Sequence, residues 1–518
     1  MADGGLKGQS LSSTYSYLMM TQIISRGISF LFTTVWMTRN LSKEEYADYT
    51  IKYHLFMTFI FISREGFRRA CMRTEVNCKD GRIKENVTRL LRACRWTLPF
   101  GLSLSFAAFL FAFWYLQLQL SDPYTKGFFI HGIACIMEIL AEPLYILSQN
   151  LLLLRLRMVV ESMATLLRCL TIFILVSTKN NMDRGIIFAY SQAAYAACFL
   201  IGYCSYFLTF QIISQTEIFS LRVYDDTDEG RKLLNSCRLY TYQAFQKFFL
   251  QEGEKMVLVP FGSTYNQATY GLIDRLGSLV VRLVFLPVEE SSYATFAKLS
   301  TGKYRLKKLG SSLMEALKIV VLMGLMFTAF GPSYSYSFVR IIHGKEWSDG
   351  EASTALSYYC IYIITLAING TSEAFLHAVA TKDQLYSSNI FMIICSVSYI
   401  VLNIILLRLA GIVGLIAANS INMSLRIIYS AVFIRQYFQN SSTFEFRGCL
   451  PSGWLMLLFS AGITLLSERL FLDKHNFWPT FFLHFLVGLA CICLSSFVIY
   501  RHEKDFIKKI LNLRKHVD

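Results

Sequence analysis

Between Gln243 and Glu290 the chain sets charged and amide side chains at helical spacing inside apolar sequence. Gln243, Lys247, Gln251 and Glu254 recur every three or four residues, as do Arg275, Ser278, Arg282 and Glu289. Each set therefore shares one face of a helix. A charge near a bilayer centre costs at least about 2.5–3.5 kcal/mol, so such residues face a partner or a water-filled cavity. The chemistry open to them is recognition: arginine keeps its charge and holds phosphate oxygens with two parallel N–H groups. Arg26 and Arg282 are the sharpest candidates, and a cavity that holds them, with Arg426 as a third member, suits an anionic headgroup such as a diphosphate. Glu254, Glu289 and Glu290 would be their counter-ions when it is absent. A permanent Arg–Glu bridge between helices is the alternative.

Other spans share the habit. Arg64, Arg68, Arg69 and Arg73 lie in the basic segment 63–95, either as topology determinants touching anionic lipid or as guanidinium forks for phosphate. Glu138, Glu142 and Gln149 follow on one helix, with Pro143 expected to kink it, and Glu161 and Arg168 on the next. Asn369, Glu373 and His377 stand at i, i+4 and i+8, and Asn419, Asn422 and Arg426 at i, i+3 and i+7. A shared hydrophilic cavity accounts for them, with scattered structural ion pairs as the competing account; His377 reads as a packed helix-face histidine. No GxxxxGK[ST], HExxH, GxSxG or strand-borne GxGxxG occurs, so neither ATP hydrolysis nor another enzymatic activity is expected, and no cofactor. The cysteines lack zinc spacing and read as small buried hydrophobes, leaving no metal site.

These side chains need membrane helices to hold them. Of 518 residues 54% are hydrophobic and 16% charged, which excludes an ordinary soluble domain. Fourteen spans are expected, at roughly 15–38, 46–62, 95–119, 127–148, 158–178, 185–212, 241–262, 268–291, 311–331, 353–379, 386–407, 410–434, 453–471 and 478–500. An even count puts both termini on one side, and most Lys and Arg outside the spans fall on that side, which makes it cytosolic. The net charge of +15 is thus a matter of topology and lipid contact rather than nucleic acid. The acidic run Asp225–Gly230 marks a linker. The expected division is a six-helix lobe at 1–212, a cytosolic linker at 213–240, a second six-helix lobe at 241–437, and two extra helices with a basic tail at 438–518. Such repeats are typical of transporters that rock one half against the other.

The segments SREGFRRAC (63–71), EILAEPLYILSQ (138–149), LQEGEKMV (250–257), LGSLVVRLVFLPVEESSYATFAK (276–298), LAINGTSEAF (366–375) and ANSINMSLRI (418–427) closely resemble the eukaryotic Rft oligosaccharide-translocation family. The resemblance runs from about Ser16 to Arg501. It implies an all-α polytopic membrane protein similar to the multidrug and oligosaccharidyl-lipid flippase superfamily, with two six-helix lobes around a central cavity plus two C-terminal helices. It implies a role in N-glycosylation at the endoplasmic reticulum: moving the dolichol-diphosphate heptasaccharide, five mannoses on two N-acetylglucosamines, from the cytosolic to the lumenal leaflet. The resemblance draws attention to Arg64, Glu65, Arg68, Arg69, Glu252, Glu254, Arg282, Glu289, Glu290, Asn369, Glu373, Asn422 and Arg426. Partners implied are that glycolipid, membrane lipids and other proteins of the pathway. A non-transporting glycolipid chaperone or scaffold, and a cation-coupled antiporter, are the other readings.

Overall fold

The computed structural model describes residues 27–72, 83–116, 123–151, 153–178, 182–209, 228–299, 305–439 and 444–504. All regular structure among them is helical. The chain divides into two compact units, Met1–Met256 and Val257–Asp518.

In unit 1 a helical stretch with a π-turn at Phe32–Trp36 ends at Asn40. Ser42 then starts the next turn with a reciprocal cap, its Oγ accepting from the Glu45 N–H and the Glu45 carboxylate accepting from its own N–H. The main helices are α1 (Tyr53–Met72), α2 (Ile83–Arg95), α3 (Thr97–Leu116), α4 (Pro123–Asn150), α5 (Leu154–Thr178), α6 (Arg184–Thr209) and α7 (Asp228–Phe261), which runs on past Met256. Pro143 sits inside α4 without ending it. Helix α3 is apolar all round, and its Phe106, Phe111 and Trp114 point outward, Trp114 with 76% of its surface exposed. In water that would be an aggregation surface; in lipid it is the expected face. The inner side is packed from α1, α2, α4, α6 and the start of α7, including Phe67, Leu144, Phe199 and Tyr203. Helices α1 and α7 approach closely at Gly66, where a Cβ would stand 2.2 Å from Thr241 Oγ1 and 2.4 Å from its backbone nitrogen. Only glycine permits that spacing.

Unit 2 contains α8 (Thr264–Val280), a π-turn at Val281–Phe285, α9 (Leu286–Leu299), α10 (Arg305–His343), α11 (Glu351–Val379), α12 (Lys382–Tyr437), α13 (Trp454–Phe471) and α14 (Phe477–His502). Helix α12, 56 residues long, breaks at Ala410 and Gly411, the latter at φ 56°. Across the break Phe391 stacks on Tyr429 at 4.5 Å, and the Tyr399 hydroxyl donates to Asn419. Contacts paired symmetrically about Ala410 mean that α12 folds back on itself as a helical hairpin, supplying two of the expected spans. Buried hydroxyls join α13 to α10, Ser333 to Thr464 at 3.0 Å, and α13 to α14, Ser460 to Ser495 at 2.7 Å and Ser467 to His484 Nδ1 at 3.0 Å. Polar pairs of this kind join helices where lipid offers no hydrophobic drive.

Among the described residues nine helices are long and apolar enough to cross a membrane. Helices α1, α7, and α8 with α9, are not among them, because they carry the charged faces noted in the sequence.

Candidate functional site

Within unit 1 a cavity of about 400 Å³ opens between α1, α4, α5, α6 and α7. One stripe of α1 lines it, with His54, Thr58, Phe61, Glu65 and Arg69 spaced by three or four residues and Arg64 beside them. Helix α7 contributes Ala244, Lys247, Phe248, Gln251 and Glu252 by the same rule. Glu138 comes from α4, Arg168 from α5, and Gln192 and Tyr195 from α6.

Two guanidinium–carboxylate ties fix α1 to α4. Arg64 Nη1 donates to Glu138 Oε2 at 3.1 Å, and Gln192 Nε2 donates to the other Glu138 oxygen at 2.7 Å. One turn on, Arg68 holds Glu142 with both Nε and Nη2, the latter at 2.7 Å, while its guanidinium lies 4.2 Å over the Tyr145 ring. Both ties join residues 74 apart, so α1 and α4 run parallel here. The Glu142 side chain is fully buried and that of Glu138 is 5% exposed. Partnered carboxylates are the only ones such a place tolerates. Lower in the cavity Glu252 meets Lys255 Nζ at 2.9 Å and His54 Nε2 at 3.5 Å.

The remaining cations differ. Arg69, Arg168 and Lys247 have no carboxylate within 4 Å among the described residues. The Arg168 guanidinium lies 5.4 Å over the Tyr195 ring. The Nε atoms of Arg64 and Arg168 are buried donors without an acceptor.

Unit 2 carries a second cluster. Arg426 of α12 holds Glu373 of α11 by two bonds, 2.7 Å and 2.6 Å. The Glu289 carboxylate of α9 lies against the same helix, 2.6 Å from where a Cβ on Gly370 would stand. Asn369 and Asn422 are buried there, each with Oδ1 unpartnered. Arg282 and Glu290 are exposed, Arg282 on the π-turn. Glu254 is half-buried on α7 in unit 1 and does not line the cavity. Arg26 and Arg73 lie outside the described residues.

Of the anion-binding candidates chosen from sequence, Arg64 and Arg69 thus line one cavity, Arg68 is consumed by Glu142, and Arg426 by Glu373. Arg168, Lys247, Gln192, Tyr195 and His54 were not among those candidates. A usable signal existed for the ties: Arg64 and Arg68 are four apart, as are Glu138 and Glu142, which is the spacing of two ladders on facing helices.

A polytopic all-helical chain with a charged cavity in one bundle has the architecture of a transporter, and the fold agrees. A solved structure of the lipid II flippase MurJ in an inward closed conformation superposes with a TM-score of 0.65 over 94% of this chain and 99% of that one, at 15% identity. An inward-facing MATE family multidrug resistance transporter of the MOP superfamily matches with a TM-score of 0.54 over 81% and 96%, at 12% identity. The chain belongs to the Rft protein family, whose Rft-1 description matches residues 10–513. The Man(5)GlcNAc(2)-PP-dolichol translocation proteins RFT1 of Dictyostelium discoideum and Mus musculus are 30% and 31% identical to it, each over 96% of both chains. That of Xenopus tropicalis is 31% identical over 94% of both.

Proposed function

We propose that this chain translocates Man(5)GlcNAc(2)-PP-dolichol, carrying the headgroup from the cytosolic to the lumenal leaflet of the endoplasmic reticulum membrane without bond chemistry. Both termini are cytosolic in this reading, and the polyprenyl tail stays in lipid. The observation that carries it is the cationic cavity of unit 1, in a chain whose family members bear the name of that glycolipid. A diphosphate crossing a bilayer needs fixed positive charge and excluded lipid, and Arg69, Arg168 and Lys247 offer both, with Arg64 held by Glu138 beside them. The cavity has the size of a small-molecule site, so it takes the diphosphate and the first sugar while the rest of the glycan lies outside it. Arg26 belongs to the same proposal as a further cationic contact; Arg282, with Glu289 and Glu290 as counter-ions, is proposed as a separate cationic position within unit 2. Substrate gradient or membrane potential supplies the drive.

The test is reconstitution of the purified protein in liposomes with fluorescently labelled Man(5)GlcNAc(2)-PP-dolichol, scored by accessibility to an external reductant. Protein-dependent loss of sidedness is expected. Unchanged sidedness with retained binding would replace this reading with a glycolipid chaperone or scaffold.

A further inference from the structure

We infer that Cys71, Cys94 and Cys237, from α1, α2 and α7, form a thiol site at one end of unit 1. It accepts a disulfide in either of two places, and of the two bridges Cys71–Cys237 alone stitches cavity walls together. The thiol site stands on geometry; its effect on transport rests on the reading above, which also puts this end of the helices in the cytosol.

A buried cysteine is ordinary in a helix bundle; three meeting from three helices are not. All three are fully buried and free. The Cys71 and Cys94 sulfurs lie 3.5 Å apart, and Cys71 is in hydrogen-bond contact with Cys237 as well. Cys71 is therefore common to both pairs. Its place opposite Cys237 follows independently from the register of α1 against α7. His54 meets Glu252 at 3.5 Å, Phe59 packs edge-on against Phe248 at 5.9 Å, and Gly66 abuts Thr241. Numbers that rise on α1 fall on α7, so the two helices run antiparallel. A turn beyond Gly66 and Thr241, the same register sets Cys71 against Cys237.

Burial keeps bulky and charged reagents away, so the trio stays reduced under ordinary cytosolic conditions. A small neutral peroxide is the oxidant that enters. The Cys71 sulfur attacks one peroxide oxygen, the O–O bond breaks, and a sulfenic acid forms on Cys71 as the first water leaves. The thiol of Cys94 or Cys237 then attacks that sulfur, the S–O bond breaks, and the second water leaves. Two thiols have lost two electrons and two protons, and hydrogen peroxide has become two waters. A bridge made first to Cys94 moves without further oxidant: Cys237 attacks the Cys71 sulfur, and Cys94 leaves and takes the proton. The bridges differ in consequence. Helix α2 contributes nothing to the cavity lining among the described residues, whereas α1 and α7 supply two of its walls. The Cys71–Cys237 bridge therefore denies those walls separation at this end.

The experiment exposes the full chain in detergent micelles to hydrogen peroxide, blocks the remaining thiols with N-ethylmaleimide, and identifies bridged peptides by mass spectrometry without reduction. Cys71–Cys94 and Cys71–Cys237 peptides are expected. Cys71→Ser should abolish both, Cys94→Ser should keep the second, and Cys237→Ser the first. A parent chain with neither bridge, at a peroxide excess that oxidises its methionines, would overturn the inference. So would a Cys94–Cys237 bridge that forms as readily in Cys71→Ser, or a Cys94→Ser chain that forms no bridge. In liposomes the oxidised Cys94→Ser chain should lose flipping by about tenfold or more and recover it with dithiothreitol, while oxidised Cys237→Ser keeps it. Equal flipping by oxidised and reduced Cys94→Ser, or equal loss in both variants, would overturn the effect on the cavity. A reduced parent chain that forms both bridges on oxidation but never flips would sink the transport reading and leave the thiol site standing.

Discussion

The Arg68–Glu142 tie offers the sharpest test of which arginines hold the protein together and which are available to a ligand. The Glu142 side chain is fully buried and takes both bonds from Arg68, whose own side chain is 18% exposed and stacked on Tyr145. Arg68→Gln strands a carboxylate with no route to water, and breaking a buried pair from one side costs about 3–5 kcal/mol. Glu142→Gln strands the guanidinium instead. That side chain keeps its ring contact and some exposure, so the loss should fall at the lower end of the same range. In the double variant two amides face each other and neither charge is left behind. Its loss should fall short of the summed single losses by at least about 2 kcal/mol, within the span measured for coupled neighbours. Equilibrium unfolding in mixed micelles, with the four chains side by side, gives that coupling. Single losses below about 1 kcal/mol, or additivity within about 0.5 kcal/mol, would refute the structural role. So would an Arg68→Gln chain of unchanged stability that has lost prenyl diphosphate binding, since Arg68 would then be a ligand group.

Gly66→Ala should cost about 1–3 kcal/mol by overpacking, because the new methyl meets the Thr241 backbone nitrogen as well as its side chain. Thr241→Ala should not rescue it, and rescue would show that only the hydroxyl is in the way. Gly411→Ala should lose about 1–3 kcal/mol through strain alone, since its φ of 56° suits glycine and nothing crowds the site; an unchanged unfolding curve would refute a strained bend. Glu503, just past α14, is buried, which raises its pKa, but bonds from Lys318 Nζ and the Ser452 N–H prevail and hold it below the ordinary 4.5. A lowered folded value means stability that is present above pH 4.5 and lost as the pH falls through that value and below. The stability gap between the parent chain and Glu503→Gln should therefore be widest near neutrality and close on acidification. A gap that does not narrow as the pH falls below 4.5 would refute the assignment.

The bulk of the fold could be read because lipid imposes a simple rule on α3, α5 and α14: an unbroken apolar run long enough to span. The division of α12 was legible too: the spans expected at 386–407 and 410–434 part at Arg408 and Leu409, next to the break at Ala410 and Gly411. Helix α7 shows where the reading strayed. Gln243, Lys247, Gln251 and Glu254 do share a face, yet the cavity sees Ala244, Lys247, Phe248, Gln251 and Glu252. At 100° per residue the lining face is turned by about 70° from the polar one. Polar residues identify a wet side of a helix, while the packing at Gly66 and Thr241 decides how far that side is rotated. Arg168 reads from sequence as part of a polar face with Glu161 but not as an anion ligand, for a related reason. It lies two turns beyond the Arg157–Glu161 pair on α5, and only the fold brings it into one cavity with Lys247 and against the Tyr195 ring. The ties of Arg64 and Arg68 show the opposite failure: arginines picked out for phosphate proved to be spent on carboxylates 74 residues away.

The bend in α12 has a mechanical corollary. Two membrane-length helices joined by so few residues have no slack between them, and the stack of Phe391 on Tyr429 clasps their far ends. The pair must then travel as one lever. Any displacement that draws Arg426 away from Glu373 has to drag the first limb with it, so the grip of a single guanidinium is leveraged by two helices' worth of lipid contact.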